Sequence, residues 1–188
     1  MPQTITAYTF DELSPEAQER ALSKLPYDEC EYSMEEARES LLTFAKTTYR
    51  LRDWRIGDSS RSFTRWDIPE RIAELSGPRA FAWIENNIFE PIRQPWNLRD
   101  KSRRYYRPGT LKACPYTGVC FDEEILGAFR DRDPRLTIGE RFSSIGDRLT
   151  RVIESDIEYQ NSEEGRRERA EFAFEGVLFD DDGNRLRA

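Results

Sequence analysis

Apolar positions recur along the chain with two periods, and each period marks a kind of element. Thr4 to Thr9 alternates β-branched and small residues before Tyr8 and Phe10, which predicts a short first strand. Ser14-Pro15-Glu16-Ala17 then opens a helix, because Ser14 can cap it and Pro15 suits its first turn. That helix runs to about Lys24 and stops before Pro26. A second helix opens near Ser33, where Ser33 and Glu36 stand at capping-box spacing, and Ala37, Leu41, Phe44, Ala45 and Thr48 share one face. Trp54-Arg55-Ile56 and Phe63-Thr64-Arg65-Trp66 read as a strand pair across Gly57-Asp58-Ser59-Ser60. A helix follows from Arg79 to Phe89, with Phe81, Ile84 and Ile88 inward.

Residues from about 90 to 115 contain Pro91, Pro95, Pro108 and Pro115, which predicts a long irregular segment. Beyond it, Asp122 to Phe129 reads as a short helix and Ile138 to about Glu158 as the longest one. The latter places Phe142, Ile145, Leu149, Val152, Ile153 and Ile157 at helical spacing. A further helix covers about Glu163 to Glu171. Phe172-Ala173-Phe174 and Val177-Leu178-Phe179 look extended and end in the turn Asp180-Asp181-Asp182-Gly183-Asn184. The expected class is α+β: one domain over residues 1–188, with a small antiparallel sheet packed against several helices. The terminal strands, near Thr4 to Thr9 and Phe172 to Phe179, are expected to share a sheet.

Charge changes this picture in one respect. Charged residues make up 35% of the chain, and the net charge of -7 is segregated. Residues 1–48 carry 4 basic and 10 acidic side chains, residues 49–112 carry 14 and 8, and residues 113–188 carry 11 and 18. Acidic ends flank a basic middle, which suits either internal pairing or separate binding faces. Aromatic residues, at 12%, supply core area that the aliphatic residues do not.

Histidine is absent altogether. That removes Ser-His-Asp and Cys-His nucleophile activation, histidine general bases and histidine-containing zinc or iron sites. Carboxylate chemistry and magnesium held by Asp and Glu remain open. Three cysteines, Cys30, Cys114 and Cys120, are an odd number for a disulfide framework and read as thiols of a reducing compartment. No segment approaches the ~20 consecutive apolar residues of a membrane span. Met1-Pro2-Gln3-Thr4-Ile5-Thr6 lacks the features of a signal peptide, so a cytoplasmic location without membrane contact is expected.

Two surfaces are candidates for partner binding. Trp96, Arg103, Arg104, Tyr105, Tyr106 and Arg107 interleave cations and rings, which suits a protein interface or, less well, stacked nucleic-acid bases. Glu154, Asp156, Glu158, Glu163 and Glu164 space carboxylates along the C-terminal helices. Such spacing can occupy a groove that normally holds phosphates, although Arg166, Arg167 and Arg169 stand nearby. The plain reading of both is a solvated, charged surface. The Asp180–Asn184 run lacks the ligand pattern of a calcium loop, and Cys114 with Cys120 supplies too few ligands for zinc. No motif singles out a catalytic residue, cofactor site or metal site, and none is expected.

Several strings resemble a known group. Ile5-Thr6-Ala7-Tyr8-Thr9-Phe10-Asp11-Glu12-Leu13-Ser14-Pro15-Glu16-Ala17-Gln18-Glu19-Arg20-Ala21 is similar to the opening of a widespread set of small phage and prophage proteins. They go by the name "antitoxin of toxin–antitoxin stability system". Thr117-Gly118-Val119-Cys120-Phe121-Asp122, Asp156-Ile157-Glu158-Tyr159-Gln160-Asn161-Ser162-Glu163-Glu164 and Phe179-Asp180-Asp181-Asp182-Gly183-Asn184-Arg185 resemble the same group. The resemblance covers about the first 25 residues and the last 75. The middle departs from it: Ile56-Gly57-Asp58-Ser59-Ser60 stands where other members carry Gly-Phe-Trp-Ser-Gln-Gly-Asp-Gly.

The resemblance implies a mobile-element setting, one that includes inhibitors of host defence such as anti-CRISPR proteins. The functional expectation is a non-catalytic binding protein that blocks a host or phage protein complex sterically or electrostatically. Three alternatives stand beside it: an antitoxin-like partner that neutralises a small toxin, a carboxylate–magnesium enzyme, and a direct nucleic-acid binder.

Overall fold

The computed structural model describes residues 6–93 and 115–186. Its fold is α+β: helices with one two-stranded antiparallel sheet. It forms two compact units, a terminal unit of Met1–Cys30 with Asp156–Ala188 and a central unit of Glu31–Ser155.

In the terminal unit, α1 (Pro15–Leu22) begins as its sequence predicts. Ser14 is extended and its hydroxyl accepts from the Ala17 amide, with Pro15 in the first turn. α9 (Glu163–Ala173) is capped in the same way by Ser162, whose hydroxyl accepts from the Gly165 amide. Leu13, Ala17, Ala21 and Leu22 bury against Ala170, Phe174 and Phe179. Phe174 packs its ring 5.1 Å from Phe10 and 5.1 Å from Phe179. Among the described residues, the expected terminal sheet is reduced to isolated antiparallel bridges, Tyr8 with Phe179 and Phe179 with Arg185. Phe172 and Ala173 belong to α9 and are not extended, because the helix continues until Phe174 turns its ring into the core. The Asp180–Asn184 turn closes on itself: the Asp180 carboxylate accepts from the amides of Asp182 and Asn184. Gly183 has φ +77°, and a Cβ there would run into the Ala17 carbonyl.

The central unit is built around Phe44 of α2 (Glu31–Thr47). Its ring meets Trp66, Tyr116, Phe129 and Phe142 at centroid distances of 5.4 to 5.8 Å. Truncating a ring so placed costs about 3–5 kcal/mol. α2 starts at Glu31, ahead of the expected cap at Ser33. Cys30 has φ +50° and donates its amide to the Asp28 carboxylate, a turn that sets the helix start. β1 (Leu51–Arg55) and β2 (Phe63–Trp66) pair as expected, with an irregularity between Leu51 and Asp53.

α3 (Glu70–Ala73) precedes α4 (Gly77–Ile84), which starts earlier than the expected Arg79 because the Gly77 amide docks on the Pro134 carbonyl. α4 continues through a π-helical turn, Glu85–Phe89, into α5 (Glu90–Arg93). Ala80, Ile84 and Ile88 are buried, while Phe81 is half-buried. α6 (Phe121–Arg130) matches its expected span to within a residue at each end. The long helix expected from Ile138 is two: α7 (Ile138–Ser143) and α8 (Ile145–Asn161). Side chains of β2 cause the break. Thr64 donates to the carbonyls of Phe142 and Ser143, and the Trp66 indole donates to Phe142. Those carbonyls would otherwise accept from the next helical turn.

Candidate functional site

α9 presents one face that nothing in the terminal unit covers. Helical spacing sets Glu164, Glu168, Glu171 and Phe172 within one arc of its surface. Ala170, on the opposite side, is buried. Phe172 is 81% exposed, the most exposed of the large apolar side chains among the described residues. Tyr159, at the end of α8, completes the patch. Its hydroxyl is hydrogen-bonded to the Glu168 carboxylate, and that bond, with burial and the charges of Glu168 and Glu164, raises its pKa. A ring and a phenol thus stand among carboxylates on a single surface.

Two neighbouring cations face other partners. Arg167, at the edge of the patch, bonds Glu163 at 2.9 Å. Arg169 turns inward to the Pro26 carbonyl at 3.2 Å and the Asp28 carboxylate at 3.4 Å. The negative potential of Glu164, Glu168 and Glu171 therefore remains turned to solvent. This arrangement can receive an electropositive surface, and Phe172 can anchor in an apolar recess between its cations.

The five acidic residues singled out in the sequence do not act as one row. Glu154 lies in the central unit, where its carboxylate accepts from the Ser59 amide at 2.9 Å and ties down the β1–β2 loop. Asp156 lies in the terminal unit near Cys30. Burial, then the charges of Asp28 and Asp156, push that thiol up. Glu158 is exposed, Glu163 pairs with Arg167, and Glu164 belongs to the patch. Trp96, Arg103, Arg104, Tyr105, Tyr106 and Arg107 lie outside the described residues, as does Cys114. Sequence reasoning missed Phe172 and Tyr159. The signal for Phe172 was present in the four-residue spacing Glu164, Glu168, Phe172, but the alternation Phe172-Ala173-Phe174 pointed to a strand.

The Pro115–Cys120 stretch has a structural role. The fully buried Asp122 carboxylate accepts from the amides of Tyr116 and Thr117 at 2.7 Å and of Gly118 at 3.3 Å, and from the Thr117 hydroxyl at 3.0 Å. The Thr117 hydroxyl in turn meets Ser40 on α2 at 2.9 Å. Arg141, also buried, donates to the carbonyls of Ala128, Asp131 and Asp133 and so closes the end of α6. Among the described residues, no three Cys, Asp or Glu side chains converge as metal ligands. No described helix is long and apolar enough to cross a membrane. Comparison with protein-family models, curated proteins and solved structures returns no match.

Proposed function

We propose that this chain is a non-catalytic binding protein of phage type, acting in the cytoplasm of a bacterial host. It inhibits a host macromolecular complex, in the manner of an anti-CRISPR protein, by seating the acidic, aromatic face of α9 on an electropositive surface of that complex. The observation that carries this reading is Phe172, 81% exposed beside the carboxylates of Glu164 and Glu168, neither of which forms an ion pair with a described cation. An apolar ring costs free energy in water and gains it when a partner covers it. The resemblance of the terminal strings to phage and prophage proteins supports the setting. The electropositive partner surface would be one that ordinarily holds nucleic-acid phosphates.

Affinity capture from host lysate tests the proposal, with the wild-type chain, a Phe172→Ser variant and a Glu164→Lys/Glu168→Lys variant as baits. The expected result is one nucleic-acid-binding complex retained by the wild type, lost with both variants, and released as salt rises. Equal retention by all three baits would place the contact elsewhere. Recovery of a small toxin in place of a host complex would favour the antitoxin-like reading.

A further inference from the structure

The terminal unit also holds a concave feature, distinct from the exposed α9 face. A cleft of about 580 Å³ opens where the end of α1 meets the returning C-terminal segment. Ala21, Pro26, Val177, Phe179 and Leu186 form apolar walls, and Lys24 and Arg185 bring cations to it. The volume is that of a small-molecule site, which needs a few hundred cubic ångströms, mostly apolar lining and a small number of polar groups.

Neither cation forms an ion pair with a described acid, although the charge of Lys24 acts on Asp180. Lys24 donates to the Asn184 side-chain oxygen at 2.6 Å and to the Gly183 carbonyl at 3.3 Å. Both acceptors are neutral, and an ammonium has a third N–H to give. The Arg185 guanidinium lies over the Phe174 ring, 4.9 Å from its centroid, and forms no ion pair with any described residue. The nearby acids are engaged: Asp182 holds Arg20, and Asp180 holds Asn184 together with the turn amides. The turn thus holds both cations beside an apolar wall, with Asp180 bonded to Asn184 and Asp182 to Arg20.

We propose that this cleft binds a small amphipathic carboxylate. Its apolar tail would lie against Val177 and Phe179, and its carboxylate would accept from Lys24 and Arg185. The reading is independent of the proposed inhibitory role of α9.

Amide chemical-shift titration with octanoate, octan-1-ol and acetate tests it on the full chain. Octanoate is expected to bind saturably, with shifts centred on Ala21, Lys24, Val177 and Arg185. Octanol, without the charge, and acetate, without the tail, are each expected to bind at least about tenfold more weakly, since charge-assisted hydrogen bonds and several buried methylenes each carry a tenfold effect or more. A Lys24→Met/Arg185→Met chain should lose the preference of octanoate over octanol while keeping wild-type dispersion elsewhere. A Val177→Trp chain, its cleft filled, should lose binding altogether. Absent saturation, equal affinity for octanoate and octanol, or shifts centred away from the cleft would each overturn the proposal. If the double variant does not fold, the octanol and acetate comparison on the wild-type chain decides the matter alone.

Discussion

Tyr8 and Phe179 exchange both of their backbone hydrogen bonds, each 2.9 Å long, and so join the two ends of the chain. The Phe179 ring is fully buried against Phe174 and Phe10. A Phe179→Ala change leaves a cavity there and is expected to destabilise the terminal unit by about 3–5 kcal/mol. Hydrogen exchange at the amides of Tyr8 and Phe179 checks this. Exchange rates that do not change would show that the ring carries no such weight.

Asp122 organises the approach to α6 by accepting from three successive amides and a hydroxyl while fully buried. Hydrogen bonds to a charged acceptor are each stronger than neutral ones, and a buried donor left unmatched costs more still. Asp122→Ala is expected to cost about 3 kcal/mol or more, and Asp122→Asn somewhat less because one oxygen remains. Denaturant midpoints measure both, and the order of the two variants is part of the expectation.

Tyr116 supplies a pH signature. Burial first, and the charge of Asp122 second, push its hydroxyl well above the ordinary tyrosine value. A raised folded-state pKa means that the unfolded chain loses this proton first. The contribution to stability is therefore complete below about pH 10, the unfolded value, and declines as the pH rises above it. Denaturation followed between pH 8 and 11 should show that decline in the wild type and a shallower one in Tyr116→Phe. Parallel curves would remove Tyr116 as the cause.

Phe172 separates binding from folding. Its side chain is exposed and lies on the side of α9 away from Ala170, so Phe172→Ser is expected to change stability by no more than about 0.5 kcal/mol. A melting temperature several degrees below wild type would mean that the ring packs within this chain and is not held out for a partner.

Much of the helical framework was legible because local signals and tertiary packing agree. Ser14-Pro15 starts α1, the stretch Asp122 to Phe129 forms α6, and the hairpin from Trp54 to Trp66 pairs across its polar turn. Three errors arose where a contact outside the apolar rhythm decides the outcome, a tertiary contact in two cases and a local turn in the other. The apolar rhythm from Ile138 to Ile157 runs unbroken through Ser144, yet Thr64 and Trp66 capture the carbonyls at that point. Ser33 has the right spacing for a cap, yet the Asp28–Cys30 turn begins the helix earlier. Phe172-Ala173-Phe174 alternates like a strand, yet only Phe174 goes inward. The candidate site shared in that last error. Its carboxylates were visible in the sequence, but the ring among them was assigned to an extended segment.

The pairing of Tyr8 with Phe179 also fixes an order of events during synthesis. Leu13, Ala17 and Ala21 emerge from the ribosome well before the residues that bury them, Ala170, Phe174 and Phe179. At roughly 5–20 residues per second, the nascent N-terminal helix waits on the order of ten seconds or more for its partners. The central unit, contiguous in the chain, can close during that interval. Helix α1, made before the segments that bury it, is thus late to find its place, and through the wait its apolar face is open to any chaperone at the tunnel exit.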